Sequence, residues 1–137
     1  MLTVAQLMNP RPATVGSDTI LREAAALMNQ SGYRHLPVVD DGNLVGMLTE
    51  RDIRLAVNSP ALDDGVTARA ALLDDLTVGA CMTPEPVATS PDADARAVAE
   101  LLTLHKFGAL PVVEGGRLVG IVSVIDFLRR FAERGAG

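Results

Sequence analysis

The chain repeats itself, and this constrains its fold more than any other feature. Leu2-Thr3-Val4-Ala5-Gln6-Leu7-Met8-Asn9-Pro10-Arg11-Pro12 recurs as Leu76-Thr77-Val78-Gly79-Ala80-Cys81-Met82-Thr83-Pro84-Glu85-Pro86, an offset of 74. The offset holds without a gap: Asp18 meets Asp92, Arg22 meets Arg96, and Leu36-Pro37-Val38-Val39 meets Leu110-Pro111-Val112-Val113. Leu44-Val45-Gly46 then meets Leu118-Val119-Gly120, and Asp52 meets Asp126. About a third of the positions from Leu2 to Ala56 equal their partners, which marks an internal duplication. A shared composition of two helical hairpins does not produce Leu-Pro-Val-Val twice at one spacing. A half of about 55 residues buries too little surface to stand comfortably alone, so the two are expected to pack their sheets into one core.

Each half reads as β-α-β-β-α. Pro10-Arg11-Pro12 forbids a helix and leads into an extended Ala13-Thr14-Val15. Ser17 and Asp18 offer caps for a helix over about Thr19 to Ser31, which Gly32 ends. Leu36 to Val39 and Leu44 to Leu48 make a hairpin around Asp40-Asp41-Gly42-Asn43, and a helix runs from Thr49 or Glu50 to about Val57. The second half predicts a helix over about Asp94 to His105 and strands Leu110–Val113 and Leu118–Val122 around Glu114-Gly115-Gly116-Arg117. A last helix follows over about Ser123 to Glu133. Repeat 1 is thus residues 1–57 and repeat 2 residues 76–137, joined by a connector at 58–75 that holds Pro60, Asp63-Asp64-Gly65 and a helix-like Thr67 to Leu73. The fold class is mixed α+β, two packed sheets flanked by helices.

Several function classes fall away. Twelve Lys and Arg against seventeen Asp and Glu give a net charge of −5, without the basic footprint that nucleic-acid backbones require. Aromatics are 3%, too few for base-stacking platforms. No apolar run reaches a membrane span of about 20 residues, and Met1–Gln6 lacks a basic leader, so a cytoplasmic protein is expected. One cysteine and two distant histidines give neither a disulfide nor a metal cluster. Cys81 matches Leu7 and reads as a buried thiol; His105 matches Ser31 at a helix end, where the dipole favours it. No nucleophile–base–acid order and no phosphate loop closed by Lys-Ser/Thr occurs, so no enzyme is expected.

Two β-α-β-β-α repeats, each with Leu-Pro-Val-Val, a glycine turn, Leu-Val-Gly and Ser/Thr-x-x-Asp, resemble a tandem pair of CBS domains, a Bateman module. The resemblance covers nearly the whole chain and implies a stand-alone regulatory pair binding an adenosine-containing nucleotide (AMP, ADP, ATP or S-adenosylmethionine), with no obligatory cofactor. The chemistry-bearing segments are Gly46-Met47-Leu48-Thr49-Glu50-Arg51-Asp52 and Gly120-Ile121-Val122-Ser123-Val124-Ile125-Asp126. Each sets a hydroxyl and a carboxylate three apart where a strand becomes a helix. There the first-turn N–H groups and the helix dipole attract an anion. Thr49 or Ser123 can donate to a phosphate oxygen, and Asp52 or Asp126 can accept from vicinal ribose hydroxyls. The same spacing also describes a capping box.

The resemblance implies further contacts. Tyr33 and Phe107 would wall an adenine, with core packing as the alternative. Arg34 and His35 would meet phosphates, or else be a solvated loop charge and a neutral core histidine. Pro37, Pro111 and Ile121 complete the candidate set. Gly108 and Ala109 match Arg34 and His35 without charge, so unequal sites are expected. The backbones of Ala13 and Val87 would meet the adenine edge. Related pairs imply one group of Ala13, Tyr33, Ser123 and Asp126 and another of Val87, Phe107, Thr49 and Asp52. The Arg129-Arg130…Arg134 cluster reads as a solvated face. The helix from Thr19 to Ser31 and the last helix carry more apolar side chain than one sheet face covers, which predicts a homodimer. A ligand-free dimerising scaffold is the other reading. Whatever reads the ligand must be a separate protein.

Overall fold

The computed structural model describes residues 1–58 and 66–136. Pro60, Asp63-Asp64-Gly65 and the side chain of Arg134 lie outside the described residues. Contacts divide the chain into two compact units, Ala13–Glu85 and Met1–Pro12 with Pro86–Gly137. These units do not coincide with the sequence repeats. The leading segment of each repeat packs in the unit formed by the body of the other.

The Ala13–Glu85 unit carries helix α1 (Leu21–Ser31), strands β1 (His35–Asp40) and β2 (Asn43–Thr49), and helix α2 (Glu50–Val57). Helix α3 (Val66–Asp75), the one-turn α4 (Val78–Cys81) and the two-residue β3 (Thr83–Pro84) complete it. Strands β1 and β2 pair antiparallel through a two-residue turn in which Asp41 (φ 53°) and Gly42 (φ 83°) are both left-handed. That conformation matches the strand twist, and a Gly in second place removes most of its steric cost. The predicted first strand shrinks to a single parallel bridge, Val15 to Val38. Val15, Leu21, Ala24, Met28, Leu36, Val38, Leu48, Ile53 and Val78 form the buried cluster. Val78 belongs by sequence to the other repeat.

The expected cap of α1 is displaced. Ile20 holds the cap position and offers no side-chain acceptor. Ser17 instead reaches the end of β1, its N–H 3.0 Å from Asp40 Oδ1 and its hydroxyl 2.6 Å from Oδ2. A long-range carboxylate outcompetes the local cap because it accepts from both donors at once. Those bonds hold the Asp40 carboxyl below its usual range. Arg22, on the outer face of α1, binds Asp74 and the carbonyl of Ala70 on α3.

The other unit carries the one-turn α5 (Val4–Leu7), helix α6 (Ala95–His105), strands β4 (Ala109–Glu114) and β5 (Arg117–Ser123), and helix α7 (Val124–Ala136). Strand β4 pairs with β5 through Gly115 and Gly116, again both left-handed. Asp94 caps α6, accepting from the N–H of Arg96 at 2.9 Å. Val4, Val98, Leu102, Leu110, Val112 and Val122 are the buried cluster, with Leu7, Met8 and Phe127 against it. Both hairpins shift register at the same repeat position, after Val38 and after Val112.

Candidate functional site

Where β2 becomes α2, the N–H of Thr49 lies 2.9 Å from Asp52 Oδ2, and the N–H of Asp52 lies 3.1 Å from Thr49 Oγ1. Where β5 becomes α7, the N–H of Ser123 lies 2.8 Å from Asp126 Oδ2, the hydroxyl of Ser123 is 3.1 Å from the same oxygen, and the N–H of Asp126 is 3.3 Å from Ser123 Oγ. Both motifs are therefore capping boxes. All four residues are half-buried, and a carboxylate has about four lone-pair sites, so the box leaves acceptor capacity on each acid.

In the Ala13–Glu85 unit, four of the predicted residues come together. His35 stands opposite Thr49 in the β1–β2 ladder, and the charge of Asp52 acts on its ring. The N–H of Glu50 donates to the carbonyl of Arg34 at 3.0 Å, and Arg34 Nε lies 3.6 Å from Glu50 Oε2. Glu50 was not singled out by sequence. Its carboxylate faces Arg34, which the resemblance implies would meet a phosphate together with His35. Tyr33 is exposed, and Ala13 packs on the core. Pro37 is fully buried, and its carbonyl accepts from the N–H of Val15 at 3.2 Å. Its role is to hold the extended segment beside β1.

In the other unit, Pro111 is buried in the same way and accepts from the N–H of Thr89 at 3.0 Å. Ile121 exchanges both backbone hydrogen bonds with Asn9, so only its half-buried side chain can face a ligand. Phe107 stacks on His105 with centroids 5.0 Å apart. Val87 is exposed. Arg129 Nη1 stands 3.5 Å from Asp126 Oδ1, so this site does have a cation, brought by α7 and not by the turn before β4. The i, i+3 spacing of Asp126 and Arg129 on one helix was the available signal. The matching residue on α2 is Leu55.

The sequence pattern of the CBS domain matches residues 4–59 and 78–133. The chain belongs to the CBS-domain family. It is 38% identical over 127 residues to a CBS domain-containing protein of Dictyostelium discoideum, covering 91% of this chain and 88% of that one. The CBS-pair protein CBSX2 from Arabidopsis thaliana superposes with a TM-score of 0.85 at 28% identity, over 98% of this chain and 97% of that one. CBSX2 is also known in complex with AMP, at a TM-score of 0.82, 28% identity and coverage of 97% and 98%. The CBS-domain pair of protein MJ0100, in complex with 5′-methylthioadenosine and S-adenosyl-L-methionine, superposes at 0.81 with 27% identity and covers 98% of each chain. Among the described residues no helix of this CBS pair is long and apolar enough to cross a membrane.

Burial lowers the pKa of His35 below its ordinary 6.5; the neighbouring Arg34 adds to this and Asp52 opposes it. The ring of this CBS pair is therefore mostly neutral at pH 7, a donor–acceptor and not a cation. Below pH 6.5 the unfolded chain takes up a proton that the folded chain resists, so stability falls as pH falls through that value. Thermal midpoints of wild type and His35→Gln should therefore diverge between about pH 7.5 and 5.5, the wild type losing more. Parallel curves would remove His35 from the pH response. The Cys81 thiol is pushed up, first by burial and then by the charge of Asp52, which disfavours the reactive thiolate.

Proposed function

We propose that this CBS pair is a regulatory module that binds adenosine-containing nucleotides through Thr49–Asp52 and Ser123–Asp126. The observation that carries the reading is the duplicated hydroxyl–carboxylate pair at a strand-to-helix junction, each acid half-buried with acceptor capacity beyond its cap. The ligands held by the similar proteins support it. AMP, methylthioadenosine and S-adenosylmethionine differ beyond the 5′ carbon and share the adenine and the ribose 2′ and 3′ hydroxyls, so a site built to accept from ribose serves all three. Tyr33 and Phe107 would flank the base, Ala13 and Val87 would offer backbone to its edge, and Arg34 would meet the phosphate in competition with Glu50.

The ligand shifts a two-state arrangement by its differential affinity for the two states, and a separate cytoplasmic protein reads the shift. Homodimerisation belongs to the proposal. Ile125, Leu128 and Phe131 line one stripe of α7, and Phe131 is 77% exposed. Helix α1, the other helix expected to carry a dimer face, buries Leu21, Ala24 and Met28 in its own core and exposes less.

Titration calorimetry with AMP tests the binding. A hydrogen bond to a charged group contributes about 1.5–3 kcal/mol, so Asp52→Ala and Asp126→Ala should each weaken one site about tenfold or more. Unchanged affinity in both variants would reject the ribose role. A second reading, a ligand-free dimerising scaffold, is favoured by the completeness of both capping boxes. It requires that wild-type protein bind no adenosyl ligand at millimolar concentration.

A further inference from the structure

We propose that Arg129 is the specificity-determining cation of the second repeat's site, selecting a 5′-phosphorylated adenosine over the plain nucleoside. The inference rests on the ligand reading above and names what distinguishes one site from the other. Asp126 and Arg129 lie three residues apart on α7, on one face, with Arg129 Nη1 3.5 Å from Asp126 Oδ1. The acid is fixed: its side chain is 12% exposed and its other oxygen accepts from both the N–H and the hydroxyl of Ser123. The guanidinium is 64% exposed. At that length and exposure the ion pair is weak, so Arg129 is kept beside the carboxylate without being locked to it.

Ribose hydroxyls donating to Asp126 take up the acceptor positions that Arg129 now approaches. The guanidinium then swings to the anion on the same sugar, where its planar fork matches two phosphate oxygens. An uncharged nucleoside offers Arg129 nothing in exchange. The first repeat is built the other way round. Leu55 stands where Arg129 would be, and the cation is Arg34, with Glu50 beside it; Gly108 and Val124 occupy those two positions in the second repeat. Read from aligned positions alone, the second repeat has no phosphate partner. Helix α7 supplies one at a position where the first repeat has Leu55.

The test uses the full chain carrying Asp52→Ala, which weakens the first site so that the second dominates the titration. AMP and adenosine are titrated into it and into Asp52→Ala/Arg129→Gln. Loss of one charge-assisted contact should weaken AMP about tenfold, leave adenosine within about twofold, and flatten the fall of AMP affinity with salt. Arg129→Lys should recover part of the AMP affinity. Adenosine binding reports that the site is still folded. An AMP-to-adenosine ratio unchanged by Arg129→Gln, or an equal loss of both ligands, overturns the role of Arg129 alone. Binding of neither ligand by wild type overturns the nucleotide reading, and Arg129's role with it; binding by wild type but not by the Asp52→Ala chain overturns the role of Arg129 alone.

Discussion

Removal of Met1–Pro12 is expected to destabilise the protein by about 5 kcal/mol or more, and the damage should fall on the second repeat, not the first. Val4 is fully buried among Val98, Leu102, Leu110, Val112 and Val122, and Leu7 and Met8 pack on the same cluster. Burying one such side chain contributes about 1.5–3 kcal/mol, and three of them leave together. The backbone goes with them. The N–H of Val4 donates to Ala93 at 3.0 Å, that of Ala5 to Pro91 at 2.8 Å and that of Ala95 to Leu2 at 2.9 Å, while Asn9 and Ile121 exchange bonds of 2.8 and 3.0 Å. Without the segment, half-buried groups of β5 and of the turn before α6 lose their partners, which adds to the cost. Hydrogen exchange should show α6, β4 and β5 losing protection before β1 and β2. Loss confined to β1 and β2 would mean that each repeat keeps its own leading segment, contrary to the packing described.

Gly120→Ala should cost about 2–4 kcal/mol, with Gly46→Ala costing less. Neither glycine needs a left-handed backbone; each is needed for space. A Cβ at Gly120 would stand 2.7 Å from Met8 Sδ and 2.8 Å from the carbonyl oxygen of Asn9. A Cβ at Gly46 would meet Met82 Sδ more closely still, but the nearest backbone atom, the oxygen of Thr83, is 3.0 Å away. A thioether can rotate aside, whereas the Asn9 carbonyl is bonded to Ile121 and cannot retreat without breaking the bridge. Denaturant midpoints of double variants separate these causes. Met82→Ala should recover most of the loss in Gly46→Ala. Met8→Ala should recover only part of it in Gly120→Ala. Equal and full rescue in both would show that the methionines alone forbid a side chain there.

Much of the local structure is legible in the sequence because it is chosen locally. Asp41-Gly42 and Gly115-Gly116 demand left-handed turns, so both hairpins fall where expected. Gly32 ends α1 in the left-handed region as expected, and α6 fills nearly the predicted range, with Asp94 as its cap and not its first residue. Ser17 misleads because its best acceptor, Asp40, lies 23 residues away, beyond any local rule. The candidate site divides in the same way. Thr49, Asp52, Ser123 and Asp126 announce themselves by a spacing of three. Glu50 beside Arg34, and Arg129 beside Asp126, are facts of side-chain placement that the motif does not contain.

The duplication, the main helix and the hairpin of each half, the turns and the hydroxyl–acid pairs can all be read from the residues alone, since each depends on neighbours close along the chain, whereas the short leading segments cannot. The residues alone leave undetermined which leading segment closes which core. Val4 and Val78, Met8 and Met82, and Gly46 and Gly120 are identical pairs, so either methionine has the chemistry to cover either glycine. The packed chain makes the choice, seating Met8 on Gly120 and Met82 on Gly46. Local preference is blind to that choice because both pairings bury the same groups, and only the path of the whole chain tells them apart.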